Sequence, residues 1–284
     1  MHSEAKKPRA AKKAGLGVRI IGVLGELVLT LGVLLLLFVA WELWYTNLSA
    51  DRQVNEVTHN IQQQFTEELG QESGLSSEKV AQIAAEASSA PEKPDPAVVE
   101  KQSLADKETY GRPPKTSLSL QGQTFGIMYV PRFGASWSRP ITNGVGQDVL
   151  NNLGVGHYQS TAMPGELGNF AVAAHRQTHG QAFWDMDKLR AGDRIYVQTN
   201  QGYYTYKWSS TDIVLPSQNQ VLDPVPYQEG KAPTEAILTM TTCHPPYTTE
   251  KRMVAFSTLE SWRPLDAGPP PEISRTVATT MGRG

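Results

Sequence analysis

Ala236-Ile-Leu-Thr-Met-Thr-Thr-Cys-His-Pro-Pro246 is a strand-forming run that reaches the only cysteine of the chain, Cys243, and is closed by two prolines. Branched and apolar residues of this kind suit a pleated, buried surface, and a proline cannot donate to a strand ladder. Met253-Val-Ala-Phe-Ser-Thr-Leu259 reads as the next strand. Upstream, Arg194-Ile-Tyr-Val-Gln-Thr199 and Tyr203-Tyr-Thr-Tyr-Lys207 flank Asn-Gln-Gly and read as a hairpin. Asn169-Phe-Ala-Val-Ala-Ala174 ends at His175, and Phe125-Gly-Ile-Met-Tyr-Val130 is closed by Pro131. Within 117–262 helical signal is weak: a turn at Gly146–Leu153 and another at Trp184–Leu189. Many short strands with Gly, Pro and Asn turns predict a mostly-β barrel or sandwich over 117–262. That run, about 145 residues, is long enough for one core.

The 284 residues allow one or two domains. Lys and Arg number 26 against 28 Asp and Glu, which excludes a strongly basic nucleic-acid binder. The negative mean hydropathy excludes a polytopic membrane protein. One cysteine excludes an intramolecular disulfide framework and a multi-cysteine zinc site.

The single long apolar stretch is Ile20–Trp41, interrupted only by Glu26. As a helix it spans a bilayer core of roughly 30 Å. Lys6, Lys7, Arg9, Lys12, Lys13 and Arg19 precede it, against the single acid Glu4. The positive-inside rule predicts a cytoplasmic tail over 1–19 and an extracellular remainder. Trp41, Trp44 and Tyr45 fit an aromatic belt at the outer interface. A cleaved signal would carry a shorter apolar core and a small-residue cleavage site. Trp41-Glu42-Leu43-Trp44 follows instead, so the reading is a retained lipid-embedded anchor over 20–41. Glu26 lies near its cytoplasmic end, where a charge costs less than at mid-membrane.

Val54, Val57, Ile61, Phe65 and Leu69 recur at helical steps and predict an amphipathic helix with a packing face, ended by Gly70 and Gly74. Ser76–Ala90 is Ala/Glu-rich. Pro91, Pro94, Pro96, Pro113 and Pro114 predict a stiff extended stretch. Residues 42–116 are accordingly read as an extracellular stalk, and the Pro- and Thr-rich 263–284 as a disordered tail.

Cys243 stands at a strand end, Arg252 at the start of the next strand, and His175, followed by Arg176, at the end of an earlier one. Strands that end on one face bring such residues together. The three types suit acyl transfer: a thiolate attacks a carbonyl, an imidazolium protonates the leaving amine, and a guanidinium stabilises the oxyanion. Each has a plainer reading: Cys243 as a small core residue, His175 as a barrel-end histidine, Arg252 as a solvated loop charge. His175 and His179 have the spacing of a zinc helix, but Arg176 stands where that motif carries Glu and the flanks read as strand. Asp185, Asp187 and Asp193 read as turn and capping residues rather than as calcium ligands.

Leu238-Thr-Met-Thr-Thr-Cys243 resembles the cysteine signature of the sortase family, with Met240 inside it. Gly168-Asn-Phe-Ala-Val-Ala-Ala-His-Arg176 resembles that family's histidine strand, with Ala174 for the usual glycine. Gly156-His-Tyr158 and Pro164-Gly-Glu166 also match segments upstream of the histidine, and Cys243-His-Pro-Pro with Arg252 resembles the class E sortases of actinobacteria. The resemblance covers about 125–262. It implies a sortase β-barrel and a cysteine transpeptidase with Cys243 as nucleophile, His175 as acid and base, and Arg252 as substrate holder and oxyanion donor. It further implies a secreted protein carrying an LPxTG-like or LAxTG-like C-terminal sorting signal as substrate. The implied acceptor is an amine on a lipid-linked peptidoglycan precursor. No metal, organic cofactor or nucleic-acid partner is implied. Two other readings of the residues stay open: a cysteine peptidase using water as acceptor, and a non-enzymatic, membrane-tethered β-domain that binds the wall.

Overall fold

The computed structural model describes residues 16–72, 77–115 and 120–281. The chain divides into two units, Met1–Tyr45 and Thr46–Gly284. Helix α1 (Leu16–Glu72) starts in the first unit. Its stretch Ile20–Trp41 is long and apolar enough to cross a membrane, and Leu24, Leu27 and Leu36 are exposed. Thr30 Oγ1 donates to the Glu26 carbonyl at 2.7 Å. The basic cluster Lys6 to Lys13 lies outside the described residues, as do the side chains of Arg19, Trp44 and Tyr45.

The second unit is built on eight strands: β1 (Thr124–Tyr129), β2 (Ser138–Asn143), β3 (Val155–His157), β4 (Gly168–Ala173), β5 (Arg194–Gln198), β6 (Gly202–Val214), β7 (Ala236–His244) and β8 (Lys251–Pro264). They close a barrel in the order β1-β2-β3-β4-β7-β8-β6-β5. The β4–β7 pair is parallel and β7–β8 is antiparallel. Side chains alternate across a strand. Met128, Phe170, Val172, Ile195, Val197, Tyr204, Tyr206, Leu238, Met240 and Ala255 form the inner core.

The alternate residues on the outer face of β1, β5 and β6 are large as well. Ile127, Tyr129, Tyr196 and Tyr203 join a second cluster with Ile61, Phe65 and Leu69 of α1 and with Leu265, Ile273 and Val277 from beyond β8. The stripe read as part of a stalk is therefore a layer of the fold, and the residues read as a disordered tail include helix α5 (Ser274–Met281). Tyr196 donates to Glu272 at 2.6 Å, Thr276 to the Ala135 carbonyl at 2.7 Å, and His59 bonds the Thr280 carbonyl. Helix α2 (Ser77–Ser89) packs on α5, with Ile83 and Ala87 buried and Val80 packed against the same outer cluster.

The proline-rich stretch also differs from expectation. Pro96 is the first residue of helix α3 (Pro96–Tyr110), where its missing N–H costs nothing. Asp95 caps the helix by accepting from the Ala97 amide at 2.8 Å. Charged and hydroxyl groups dock α3 on the barrel. Ser103 donates to Glu260 at 2.8 Å, and Arg194 pairs with both Glu260 and Glu100. Pro113 then lies against Gly165, where φ is +79° and a Cβ would sit 2.5 Å from the Pro113 ring.

The missed strands are β2, which carries Arg139 and Pro140, and β3, only three residues long. The turns at 146–153 and 184–189 correspond to helix α4 (Gln147–Asn152) and a single turn Met186–Lys188.

Candidate active site

Registry brings the three residues together. Ala173 on β4 pairs with Thr241 on β7 in parallel, so two residues further on His175, just past the end of β4, follows the same register as Cys243, which is still in β7. The Ala174 amide still bonds the Thr241 carbonyl at 3.2 Å, and Thr242 Oγ1 returns to the Ala174 carbonyl at 2.8 Å. On the other flank, Cys243 is the direct antiparallel partner of Arg252, which sets their Cβ atoms roughly 5 Å apart. The alternation puts His175, Cys243 and Arg252 on the outer face, with Ala171, Ala173, Thr239 and Thr241 as its floor.

His175 is half-buried and its Nε2 bonds Asn151 Oδ1 at 2.7 Å. A carbonyl oxygen only accepts, so Nε2 carries a hydrogen, and in the neutral ring the lone pair is then on Nδ1. Burial, with His179 beside it, holds the imidazole below its usual range. The two rings lie 5.3 Å apart, centroid to centroid. Among the described residues no group of three or more His, Cys, Asp or Glu could hold a metal ion. The three aspartates weighed as calcium ligands go to separate cations: Asp185 to Lys188, Asp187 to Arg176 and Asp193 to Arg132.

Cys243 is a free, half-buried thiol. Arg252 is partly exposed and its Nη1 donates to the Thr249 and Lys251 carbonyls at 3.1 and 3.0 Å, so the side chain folds back over the loop beside Cys243. Tyr158 Oη and Thr241 Oγ1 lie 3.1 Å apart on the same face. The segment between β6 and β7 is bolted over the start of β4, where Asn169 Nδ2 donates to the Val221 and Asp223 carbonyls at 2.9 and 3.0 Å. It walls one side of the floor with Val214, Val221, Val254 and Phe256. A cleft of about 730 Å³ lined by Arg112, Glu166, Glu235 and Leu259 lies at the far end of β7 and holds none of the three residues.

Asn151 was not legible in the sequence: it comes from α4, 24 residues before His175, and only the fold joins them. Arg176 was legible as the residue after the histidine, but its side chain turns to the inner side, 4% exposed, toward His244 and Asp187.

A closed eight-strand barrel with cysteine, histidine and arginine at adjacent strand ends has clear relatives. A model of the sortase domain matches residues 128–260. Sortase SrtE1 of Streptomyces coelicolor is 32% identical over 274 residues, and the chain spans 65% of that protein's length. Sortase SrtE2 of the same organism is 27% identical, with 93% of each chain covered. Among solved structures, sortase E from Streptomyces avermitilis is 38% identical with a TM-score of 0.50, covering 55% of this chain and 99% of that one. The SrtA sortase from Actinomyces oris is 34% identical with a TM-score of 0.55, covering 57% and 93%. The chain belongs to the sortase family, and its barrel is the sortase fold.

Proposed function

We propose that this protein is a membrane-anchored cysteine transpeptidase acting on a sorting signal of secreted proteins, with Cys243, His175 and Arg252 as its catalytic residues. The observation that carries the reading is the registry: parallel pairing of β4 with β7 and antiparallel pairing of β7 with β8 flank one thiol with an imidazole and a guanidinium on one face. An extended peptide lies along the small-residue floor of β4 and β7. His175 lies where burial disfavours its charged form. Its Nδ1 takes the thiol proton as sulfur attacks the Thr–Gly carbonyl of an LPxTG-like or LAxTG-like signal. Arg252 turns from its own loop carbonyls to the developing oxyanion. Collapse forms the C–S bond, breaks the C–N bond and passes the proton from His175 to the leaving amine. An incoming amine of a peptidoglycan precursor reverses the sequence: its proton goes to His175, the C–S bond breaks, and sulfur is reprotonated.

The apolar stretch Ile20–Trp41 supports a single-pass anchor, and the basic residues before it favour a cytoplasmic N-terminus with the barrel outside. Both substrates are found there. The test is product analysis of peptides carrying each signal, with and without an added oligoglycine or diamino acid amine. The reading expects cleavage between Thr and Gly and a new Thr–amine product. Cleavage that yields only the free acid at any amine concentration would make the protein a peptidase. No cleavage of any sorting peptide would leave the wall-binding reading.

A further inference from the structure

The residues that directly follow the three site residues also meet. His175, Cys243 and Arg252 are succeeded by Arg176, His244 and Met253, and alternation turns this second set to the inner side of the barrel mouth. There one guanidinium holds them: Arg176 Nη1 lies 2.8 Å from His244 Nδ1 and 3.9 Å from Met253 Sδ, while Nη2 pairs with Asp187 at 3.2 Å. Arg176 is 4% exposed, and its Nε is buried without a hydrogen bond among the described residues. We propose that Arg176 is a positioning residue that sets the distances among Cys243, His175 and Arg252 by clamping, through its planar fork, the backbone positions next to each of them. This deepens the transpeptidase reading and rests on it for the kinetic part of the test.

Three features favour a positioning role over plain stabilisation. A buried guanidinium with one unsatisfied N–H is a poor source of stability, because its desolvation offsets much of what its ion pair returns, and the Asp187 it would leave behind is half-exposed and solvated. The fork geometry matters, because one point charge cannot reach an imidazole, a thioether and a carboxylate held on three segments. The clamp also dictates a tautomer: a guanidinium only donates, so His244 Nδ1 accepts and that ring is neutral. Burial, then Arg176 and Lys251, hold the ring below its usual range, with Asp187 opposing them. The site residues themselves stay free of these contacts, so the clamp acts on them only through the backbone.

The decisive comparison uses Arg176→Met, His244→Leu and His244→Asn in the chain from residue 46 onward, the whole of the second unit. Arg176→Met keeps volume and removes the fork. His244→Leu removes the acceptor, whereas His244→Asn puts an amide oxygen where Nδ1 stood. In single-turnover acylation by a sorting peptide, Arg176→Met and His244→Leu should lower the rate about tenfold to a hundredfold, the scale of an ångström-level misplacement, with KM and Tm nearly unchanged. His244→Asn should acylate within about threefold of wild type, well short of that loss. Backbone amide exchange over 174–178 and 242–254, which needs no substrate, should quicken in Arg176→Met and His244→Leu alone. Wild-type protein that forms no acyl-enzyme refutes the transpeptidase reading and leaves the exchange comparison to decide the clamp. Unchanged exchange and acylation in Arg176→Met overturn the proposal. His244→Asn falling as far as His244→Leu in acylation also overturns it, since the imidazole would then act chemically. If Arg176→Met does not fold, the two His244 variants decide alone.

Discussion

Phe65→Ala measures whether the helix leading into the barrel is a tether or part of the fold. Phe65 is 3% exposed and packs in the outer cluster with Ile127, Tyr129, Tyr196 and Tyr203. Truncating a fully buried phenylalanine removes its transfer free energy and leaves a cavity, together about 3–5 kcal/mol. Phe65 sits between one helix and a closed barrel, so collapse around the void is limited and the upper half of that range applies. Against a total stability of about 5–15 kcal/mol, this is a large fraction. For a unit of this size it lowers Tm by roughly 10 °C or more. Gln63 is exposed on the same helix, and Gln63→Ala should stay within about 0.5 kcal/mol. The assay is urea unfolding of the chain from residue 46, followed by near-ultraviolet signals of the barrel tyrosines. If Phe65→Ala unfolds within about 1 kcal/mol of wild type, short of the cavity cost, the helix is a stalk and the outer layer is wrong.

Other perturbations separate the parts of the account. A fragment starting at residue 120 should aggregate or unfold, because it bares Ile127, Tyr129, Tyr196 and Tyr203; a monomeric, cooperatively folding fragment would contradict the two-layer packing. Arg252→Lys keeps charge but loses the fork, and should slow acylation about a hundredfold; a rate within about twofold would make Arg252 a bystander. Asn151→Asp places a carboxylate on the His175 Nε2–H and should raise that imidazole's pKa, moving the acid limb of kcat/KM to higher pH. An unmoved limb would detach Asn151 from the reaction. His157 is fully buried and held at a pKa of about 4 by burial. A folded pKa below the unfolded value means the unfolded chain takes up more protons as pH falls through about 6.5 toward about 4. Stability should therefore drop by about 2 kcal/mol between about pH 7.5 and about pH 5. In His157→Asn that part of the drop should vanish in urea titrations; an unchanged slope would refute the assignment.

What the sequence shows and what it hides follow from packing. Strands β4, β7 and β8 are visible because each is a continuous branched-apolar run ending at a distinctive residue. The Phe125–Val130 run is apolar without alternation, the mark of a strand covered on both faces. That was the available signal that a second layer packs outside Ile127 and Tyr129, and the stripe Ile61, Phe65, Leu69 was its match. Their pairing is invisible because nothing local links residue 65 to residue 129. Pro96 misleads because proline both breaks extended runs and starts helices, and only the Asp95 cap tells the cases apart. Helix α3 offers no apolar stripe, since ion pairs dock it. The tail hides Ile273 and Val277 behind Gly268-Pro-Pro-Pro271. The strand-end positions of His175, Cys243 and Arg252 were legible residue by residue, whereas Asn151 and the inner face of Arg176 depend on registry.

The most direct measurement of the central claim is the intact mass of the chain from residue 46, quenched in acid after mixing with a sorting peptide, then mapped by digestion. The account predicts an acyl adduct ending at the signal's threonine, carried on Cys243 and released as a Thr–amine conjugate when an amine is added. It also predicts no adduct in Cys243→Ala, which should keep its fold. An adduct on another residue, or peptide cleavage that survives Cys243→Ala, would contradict it.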